Sequence, residues 1–296
     1  MRVTLTGATG LIGPELVKLL RARGDEVTVL TRDPEKARGA LAGVDAVAWV
    51  DPEGEPAPAA ALEGRAVVVH LAGEPVAQRW SDEVKARIHS SRELGTRNLV
   101  ASLDDGQALV SSSGVGYYGP HGDERLDEQT PAGSDFLAGV CVAWEREAHE
   151  APGRVVCVRT GIVLSSDGGA LEKMLPFFKA GVGGPVAGGR QYMPWIHLDD
   201  LAGIYMRAID DPSWSGPVNG SAPEPVTNKA FSKALGKVLR RPVFAPVPKL
   251  AIKTLYGEMA EIVVGGQRAV PVRTTELGYE FRHTDLEPAL RDALGK

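Results

Sequence analysis

Three glycines near the start of the chain have the spacing of a phosphate-binding turn, Gly7-x-x-Gly10-x-x-Gly13. They lie between a strand-like run at 2–6 and an amphipathic helical pattern that begins near Ile12. In such a unit the first glycine permits a tight turn, the second lets the backbone approach the phosphates, and the third lets helix and strand pack closely. The helix N-terminus adds free amide groups and the positive end of a dipole. This stretch therefore predicts a site for a dinucleotide pyrophosphate.

A second group of residues bears on which dinucleotide is bound. The next strand-like run, residues 26–31, ends in Thr31-Arg32, and Asp33 follows. An acidic residue at this place accepts hydrogen bonds from a ribose 2′-hydroxyl, whereas an arginine suits a 2′-phosphate through its forked donors. Thr31 and Arg32 favour NADP over NAD, although Asp33 leaves open that Arg32 is a solvated loop residue.

Hydroxyl groups that could take part in proton transfer cluster after the strand predicted at 107–112. Ser112 ends this strand, and Tyr117 and Tyr118 lie in the following loop at 113–134. A tyrosine acting as base at pH 7 needs its pKa lowered by about 3 units, or roughly 4 kcal/mol, and the loop has no lysine to do this. As a general acid it needs no such change. We therefore consider a reductase role for either tyrosine, with aromatic packing or pocket lining as the alternative.

Other polar side chains have simpler interpretations. His70 is expected to pack or cap its strand. His197, before Asp199-Asp200, is expected to be a structural cap, with a role as a ligand as the alternative. Arg190, in a glycine-rich loop, could contact an anionic substrate group or remain solvated.

These residues require elements that bring them together. Strand-like runs at 2–6, 26–31, 45–50, 66–71, 107–112 and 154–159 alternate with helical patterns, including 81–103 and 135–150. This alternation predicts an α/β fold, a Rossmann doubly wound parallel sheet with helices on both faces. Ligands of such sheets lie at the carboxyl ends of the strands, where Gly7, Arg32, Gly73 and Ser112 should converge.

The pattern changes after residue 160. A glycine-dense loop at 181–194 is followed by helical patterns near 199–210, 228–240, 248–264 and 284–294. We predict a nucleotide-binding domain at 1–160, interleaved with a smaller C-terminal α/β substrate lobe at 161–296.

Composition limits the class of protein. The 33 basic and 38 acidic residues give a net charge of −5 without long runs of one sign, which argues against nucleic-acid or membrane partners. Two cysteines are too few for a disulfide framework or a structural zinc site. A strand starting at residue 2 leaves no room for a signal peptide. We expect a cytoplasmic protein.

Longer motifs resemble the extended short-chain dehydrogenase/reductases, the NAD-dependent epimerase/dehydratase superfamily. They are TGATGLIG (6–13), HLAG (70–73), SSSGVGYYG (111–119) and WIHLDDLA (195–202). More narrowly, GGPVAGGRQYMPWIH (183–197) and LGYEF (277–281) make the chain similar to the SulA-like, YfcH-type epimerase family of atypical members. The resemblance covers nearly the whole chain. It implies an NADP-binding Rossmann domain and a family-specific C-terminal segment, without an assigned substrate.

The resemblance also implies a Tyr-x-x-x-Lys pair on the helix after the serine-bearing strand. Counting back from Trp144-Glu145, the tyrosine position falls on Leu137 and the lysine position on Cys141. Leu137 has no proton to transfer, and a cysteine with an ordinary pKa of about 8.5 ionises still less in apolar surroundings. The usual acid–base pair is absent.

We therefore predict an NADP(H)-binding oxidoreductase or epimerase-like protein with an atypical active site, and as the alternative a non-catalytic NADP(H)-sensing module. Its substrate would be a carbonyl compound or a nucleotide sugar; the oligomeric state stays open, and no metal is predicted. The candidate catalytic residues are Tyr117, Tyr118 and Ser112. The predicted cofactor contacts are Gly7, Thr9, Gly10, Leu11, Ile12, Gly13, Thr31, Arg32, Leu71, Ala72, Gly73, Glu74, Arg92, Ser111, Gly161 and Val163.

Overall fold

The computed structural model describes residues 1–243 and 246–296. The first half of the chain alternates strands and helices as the sequence predicts. Its elements are β1 (Arg2–Thr6), α1 (Gly13–Ala22), β2 (Glu26–Thr31), α2 (Pro34–Ala40), β3 (Asp45–Ala48), β4 (Val67–His70), α3 (Asp82–Val100), β5 (Ala108–Gly114), β6 (Arg125–Leu126), α4 (Phe136–His149) and β7 (Val155–Thr160).

The second half has shorter strands and more helices. Its elements are β8 (Ile162–Leu164), α5 (Gly169–Lys179), β9 (Tyr192–Met193), β10 (Trp195–His197), α6 (Leu198–Asp210), β11 (Gly216–Gly220), β12 (Val226–Thr227), α7 (Asn228–Leu239), α8 (Lys249–Tyr256), α9 (Ala260–Gly265), β13 (Arg268–Ala269), α10 (Val272–Glu276) and α11 (Leu286–Ala293). Short 3₁₀ turns occupy Ala59–Ala61, Val115–Tyr118 and Gly257–Met259.

One seven-stranded parallel sheet organises the molecule, in the order β11-β7-β5-β4-β1-β2-β3. The doubly wound Rossmann prediction is therefore confirmed. The order reverses between β1 and β4, which is the point where such sheets bind ligands. All four residues of β4, VVVH, are buried, as expected of a strand covered on both faces.

Two cores cover the sheet. The first core packs α1 and α6 against one face of the sheet, through residues such as Leu16, Val29 and Ile204. The second core packs α3 and α4 against the opposite face, around Leu99 and Leu109. A third core, around Trp195 and Phe231, joins α5, α7 and α11. No helix in the described ranges combines the length and apolar character needed to span a membrane.

Helix starts follow their capping residues. Asp33, Ser81, Asp135 and Thr227 each accept a hydrogen bond from an amide in the first turn of α2, α3, α4 and α7. The helical pattern expected near 248–264 is divided between α8 and α9, because Gly257 adopts φ +63° and ends α8. The loop expected at 113–134 contains a 3₁₀ turn and the two-residue strand β6, which pairs with β13.

Residues beyond 160 return to the main sheet. Strand β11 pairs with β7 along Gly216–Gly220, and α6 packs against β5 and β7. Residues before and after position 160 therefore share one sheet, while the division into two interleaved lobes with a boundary at 160 stays a prediction.

Candidate functional site

The glycine turn after β1 packs against the chain that leaves β4. Gly7 adopts φ +65°, and a Cβ there would lie 2.7 Å from the amide nitrogen of Ala72 and from the carbonyl carbon of Leu71. A Cβ on Gly13 would lie 2.2 Å from the carbonyl oxygen of Ala8, so helix and turn touch here through backbone alone. These positions require glycine, and the turn lies where the strand order reverses.

A buried polar network fixes the contact between β1 and β4. The hydroxyl of Thr6 accepts hydrogen bonds from the amides of residues 71–72, at 3.2 Å each, and lies 2.7 Å from Nδ1 of His70. Because its lone pairs are used, the Thr6 hydroxyl donates to Nδ1, and Nε2 donates to the Thr96 hydroxyl at 3.0 Å. Burial, with help from the charge of Arg92, lowers the pKa of His70 to about 4. His70 packs as expected.

The end of β2 leaves one cation free. Asp33 accepts the amide of Lys36 at 3.0 Å, so its carboxylate is committed to the start of α2. The Thr31 hydroxyl accepts the amide of Asp33 at 3.2 Å. The side chain of Arg32 is exposed and has no hydrogen bond or ion pair within residues 1–243 and 246–296. Arg32 can therefore turn toward a bound phosphate without breaking an existing contact.

A buried cation lies beside the segment that follows β4. Arg92 is only 9% exposed, and its Nη1 donates to the carbonyl oxygens of Glu74 at 2.9 Å and Ile88 at 3.1 Å. A Cβ on Gly73 would lie 3.0 Å from the guanidinium carbon, and that carbon lies 4.9 Å from the ring centroid of Trp144. Burial lowers the pKa of Arg92 from its ordinary value. This arrangement places a positive charge at the carboxyl end of β4.

The serines at the end of β5 are all buried and engaged within the protein. Ser111 donates to the carbonyl oxygen of residue 112 at 3.1 Å. Ser112 and the hydroxyl of Tyr205 are hydrogen-bonded at 2.5 Å. Ser113 donates to the Glu145 carboxylate at 2.6 Å. A substrate or cofactor would have to compete with these partners for the same hydroxyls.

The helix after β5 presents Leu137 and Cys141 to the same strand end. A Cβ on Gly116 would lie 2.7 Å from a methyl carbon of Leu137, and one on Gly114 would lie 3.8 Å from the Cys141 sulfur. Burial raises the pKa of the Cys141 thiol to about 12. The thiol is therefore neutral at pH 7, and neither side chain supplies the missing acid–base pair.

The two candidate tyrosines differ sharply in their surroundings. Tyr118 is fully buried; its hydroxyl donates to Oδ1 of Asn219 at 2.8 Å and accepts from Arg159 at 3.1 Å. Burial raises its pKa above the ordinary value. Tyr117 is half-buried, and the Arg159 guanidinium lies 3.4 Å from its ring centroid. Of the two phenols, only that of Tyr117 belongs to a partly exposed side chain.

The remaining turn residues divide into exposed and packed positions. Thr9 and Gly10 are exposed beside the turn, and the Gly10 amide donates to the Gly7 oxygen at 3.0 Å. Leu11 packs against Gly168, where a Cβ would lie 3.0 Å from a Leu11 methyl carbon. Ile12 packs on the first core. Exposed backbone at 9–10 leaves room for a phosphate group to approach.

Gly161 and Val163 follow the carboxyl end of β7. The Gly161 amide donates to the carbonyl oxygen of Gly220 at 2.9 Å. A Cβ on Gly161 would lie 2.1 Å from the carbonyl oxygen of Pro194. Val163 is buried in the first core. Close backbone packing, rather than a side chain, thus defines this edge.

A cluster of histidines and aspartates lies at the start of α6. Nδ1 of His197 accepts the amide of Asp199 at 3.2 Å, which confirms the expected helix cap. One ligand atom each from His197, Asp199, His283 and Asp292 fall within 4.8 Å of one another. The two imidazoles are stacked at 3.8 Å with planes 25° apart. Because a metal ion bonds to imidazole within the ring plane, near-parallel rings do not suit one shared ion.

Sequence reasoning missed a buried ion pair next to the site. Arg159 donates to both Glu145 carboxylate oxygens at 2.8 Å, and both residues are under a tenth exposed. Although burial opposes it, the bonds to Glu145 raise the pKa of Arg159. Glu128 is buried likewise and accepts the Asn219 amide at 2.9 Å. An arginine in the otherwise apolar run VVCVR was the available signal for such a partner.

Comparison with known proteins places the chain in a family. Residues 3–219 match the model of the NAD dependent epimerase/dehydratase family. The chain belongs to this family. Residues 247–293 match DUF1731, a domain of unknown function, and together the two matches confirm the resemblance seen in the motifs. The chain is 43% identical to "Epimerase family protein SDR39U1 homolog, chloroplastic" of Arabidopsis thaliana over 98% of its length and 86% of that protein.

Solved structures of relatives share the fold. The human epimerase family protein SDR39U1, crystallised with NADPH, is 33% identical, with a TM-score of 0.89 over 100% of both chains. A nucleoside-diphosphate sugar epimerase from Corynebacterium glutamicum is 36% identical, with a TM-score of 0.78 over 100% of this chain and 58% of that one. At 34% identity, YfhF of Bacillus subtilis matches 98% of this chain and 97% of its own.

Proposed function

We propose that this protein is an NADPH-dependent oxidoreductase. The observation that carries the choice of NADPH is the end of β2, where Asp33 is held by α2 and the exposed Arg32 is free. An aspartate committed to a helix cap is a poor acceptor for a ribose hydroxyl, while a free guanidinium forms charge-assisted pairs with a 2′-phosphate. The human relative crystallised with NADPH supports the same choice.

The turn after β1 fits a pyrophosphate. A Cβ at Gly7 would collide with residues 71–72, and the turn is exposed at Thr9 and Gly10, next to the N-terminus of α1. The other predicted contacts would complete the site: Leu11, Ile12, Gly13, Thr31, Leu71, Ala72, Gly73, Glu74, Arg92, Ser111, Gly161 and Val163. When bound, NADPH would supply a hydride. The protein's part is to hold and orient the cofactor at the strand ends and to exclude water from them.

The choice of cofactor is tested by titrating NADPH and NADH into the wild type and Arg32→Ala. Losing one charge-assisted contact to phosphate costs about 1.5–3 kcal/mol, so NADPH affinity should fall about 10- to 100-fold with NADH affinity unchanged. Lys179→Ala removes an exposed charge at the far end of α5 and should alter neither affinity. Equal affinity of the wild type for both cofactors would refute the role of Arg32.

Two other activities remain as alternatives. An epimerase cycle on a nucleotide sugar starts by removing a hydroxyl proton, and neither Leu137 nor the neutral Cys141 can accept it. The presence of Leu137 and Cys141 in place of an acid–base pair is what favours the other alternative, a non-catalytic NADPH sensor. Following the nicotinamide absorbance with carbonyl compounds separates a reductase from a sensor, and product analysis by NMR detects an epimerase.

Among the candidate catalytic residues, Tyr117 is the one whose surroundings allow contact with a substrate. The hydroxyls of Ser112 and Tyr118 are buried and hydrogen-bonded to Tyr205 and Asn219. We therefore propose that Ser112 and Tyr118 shape the end of β5, and that the side chain of Tyr117 lines the substrate site.

A further inference from the structure

The positions expected to hold the acid–base pair lie beside an apolar cluster built from three parts of the chain. We define the apolar wall as Val76, Trp80, Phe136, Leu137, Met259 and Ile262, which pack in one cluster. The first two follow β4, the next two begin α4, and the last two belong to the segment that matches DUF1731. The rings of Trp80 and Phe136 meet edge to face at 5.1 Å. Trp80 is buried, at 9% exposed, and the other five side chains are half-buried and keep exposed surface.

The side chains at and next to the positions of the expected acid–base pair are poor proton donors. The Ser113 hydroxyl is bound to Glu145, that of Ser112 to Tyr205, and burial raises the pKa of Cys141 to about 12. A positive charge is nevertheless present, because the buried guanidinium of Arg92 lies against Gly73 with backbone carbonyls as its hydrogen-bond acceptors. The surroundings can attract a negative oxygen more readily than they can protonate one.

We propose that the substrate is a flat, apolar, conjugated hydride acceptor of the quinone class. The proposal rests on the NADPH-dependent reductase function above. Adding hydride to a simple ketone leaves an alkoxide, a strong base that needs a proton in the same step. Adding hydride to a quinone leaves an oxygen anion whose charge spreads over the ring, so the proton can come from water afterwards. The apolar wall packs on such rings, while sugar hydroxyls would lose hydrogen bonds to water against it.

The step balances with water as the only further reactant. A C–H bond of NADPH breaks, and its hydrogen and electron pair pass to the quinone. NADPH is oxidised to NADP⁺, and the quinone is reduced to the hydroquinone anion. One proton from water completes the hydroquinone.

Two acceptors of similar shape test the substrate class, menadione and 1-tetralone, each offered with NADPH to the full chain. We expect kcat/KM for menadione to exceed that for 1-tetralone by about 100-fold or more. We expect kcat to vary little between about pH 6 and pH 9, because the proton comes from water and not from a side chain. Comparable reduction of 1-tetralone, or a kcat for menadione that falls along a single ionisation, would overturn the proposal.

Direct binding of menadione, followed by quenching of tryptophan fluorescence in the presence of NADP⁺, gives a readout that does not depend on turnover. Leu137→Asn places an amide in the apolar wall and should weaken menadione binding about 10- to 100-fold. Val142→Asn makes the same kind of change on the exposed side of α4 and should leave it unchanged. NADPH affinity, measured in both variants, shows that each is folded. Equal menadione affinity of the two variants would refute the binding site.

Failure of the inference is distinguishable from failure of the reductase function. Oxidation of NADPH by ketones or aldehydes but not by menadione overturns the quinone class and leaves the reductase standing. If NADPH binds and no acceptor oxidises it, both are wrong, and product analysis by NMR then separates the epimerase from the sensor.

Discussion

The buried pair Glu145–Arg159 allows the most stringent test of how this site is held together. In Arg159→Met the Glu145 carboxylate keeps its hydrogen bond from Ser113 but loses both bonds from the guanidinium. Removing one partner of a buried pair costs about 3–5 kcal/mol, because the other charge stays desolvated. That is a large part of the roughly 5–15 kcal/mol by which a folded protein is stable.

The expected loss can be read as a change in melting temperature. For 296 residues an unfolding entropy of about 2.1 cal/mol/K per residue converts 3–5 kcal/mol into a decrease of about 5–8 °C. Thermal unfolding of wild type and variant at several pH values between 7 and 8 measures this decrease.

A double variant supplies the control. Glu145→Gln with Arg159→Met replaces the pair by neutral side chains of similar size, so it should be clearly more stable than Arg159→Met alone. If Arg159→Met lowers the melting temperature by less than about 2 °C, at every pH, the pair is not the desolvated contact that its burial indicates.

Two further predictions concern the contact between β1 and β4. Gly7→Ala should lower the free energy of unfolding by about 2–5 kcal/mol and abolish NADPH binding in titrations, because the methyl group collides with Ala72 and φ is positive. Gly24→Ala is the control: φ there is +87° but no atom lies near the added methyl, so it should cost only about 1 kcal/mol. Equal losses of stability in the two variants would contradict the close approach at Gly7. The pKa of His70 is about 4 in the folded protein, against an ordinary value of 6.5. As pH falls, the unfolded chain therefore binds a proton at His70 before the folded protein does. The free energy of unfolding of the wild type should decrease by roughly 3 kcal/mol between about pH 6.5 and pH 4. Denaturant titrations of His70→Asn at each pH should lack this decrease in the free energy of unfolding. If stability depends on pH equally in the variant and the wild type, His70 is not its source.

The strands and the glycine turn could be predicted because their signals are local. Periods of two and 3.6 residues, with glycine and aspartate at the ends, give β2 to the residue and most helices to within a few residues. The missed break at Gly257 has a local cause too, a positive φ, but glycine alone does not reveal its φ.

What the sequence left open at the site depends on distant partners. Ser112 could be placed at a strand end, yet its partner Tyr205 lies 93 residues further on. Arg159 ends a predicted strand and Glu145 lies in a predicted helix, and their pairing appears only when β7 and α4 are packed together. The helical spacing of Leu137 and Cys141 predicted that they share an apolar face. The third part of the apolar wall, Met259 and Ile262, comes from a distant part of the sequence.

The strand order has a consequence for synthesis of the protein. While residues up to 160 emerge from the ribosome, β7 can already pair with β5, but its other edge waits for β11, whose first residue is Gly216. That uncovered edge carries the apolar run VVCVR, the kind of surface on which nascent chains stick to one another. A nucleotide-binding half cut at residue 160 would keep this edge open permanently. The part of the chain that carries the glycine turn is thus continuous in sequence but needs the later part to complete its sheet.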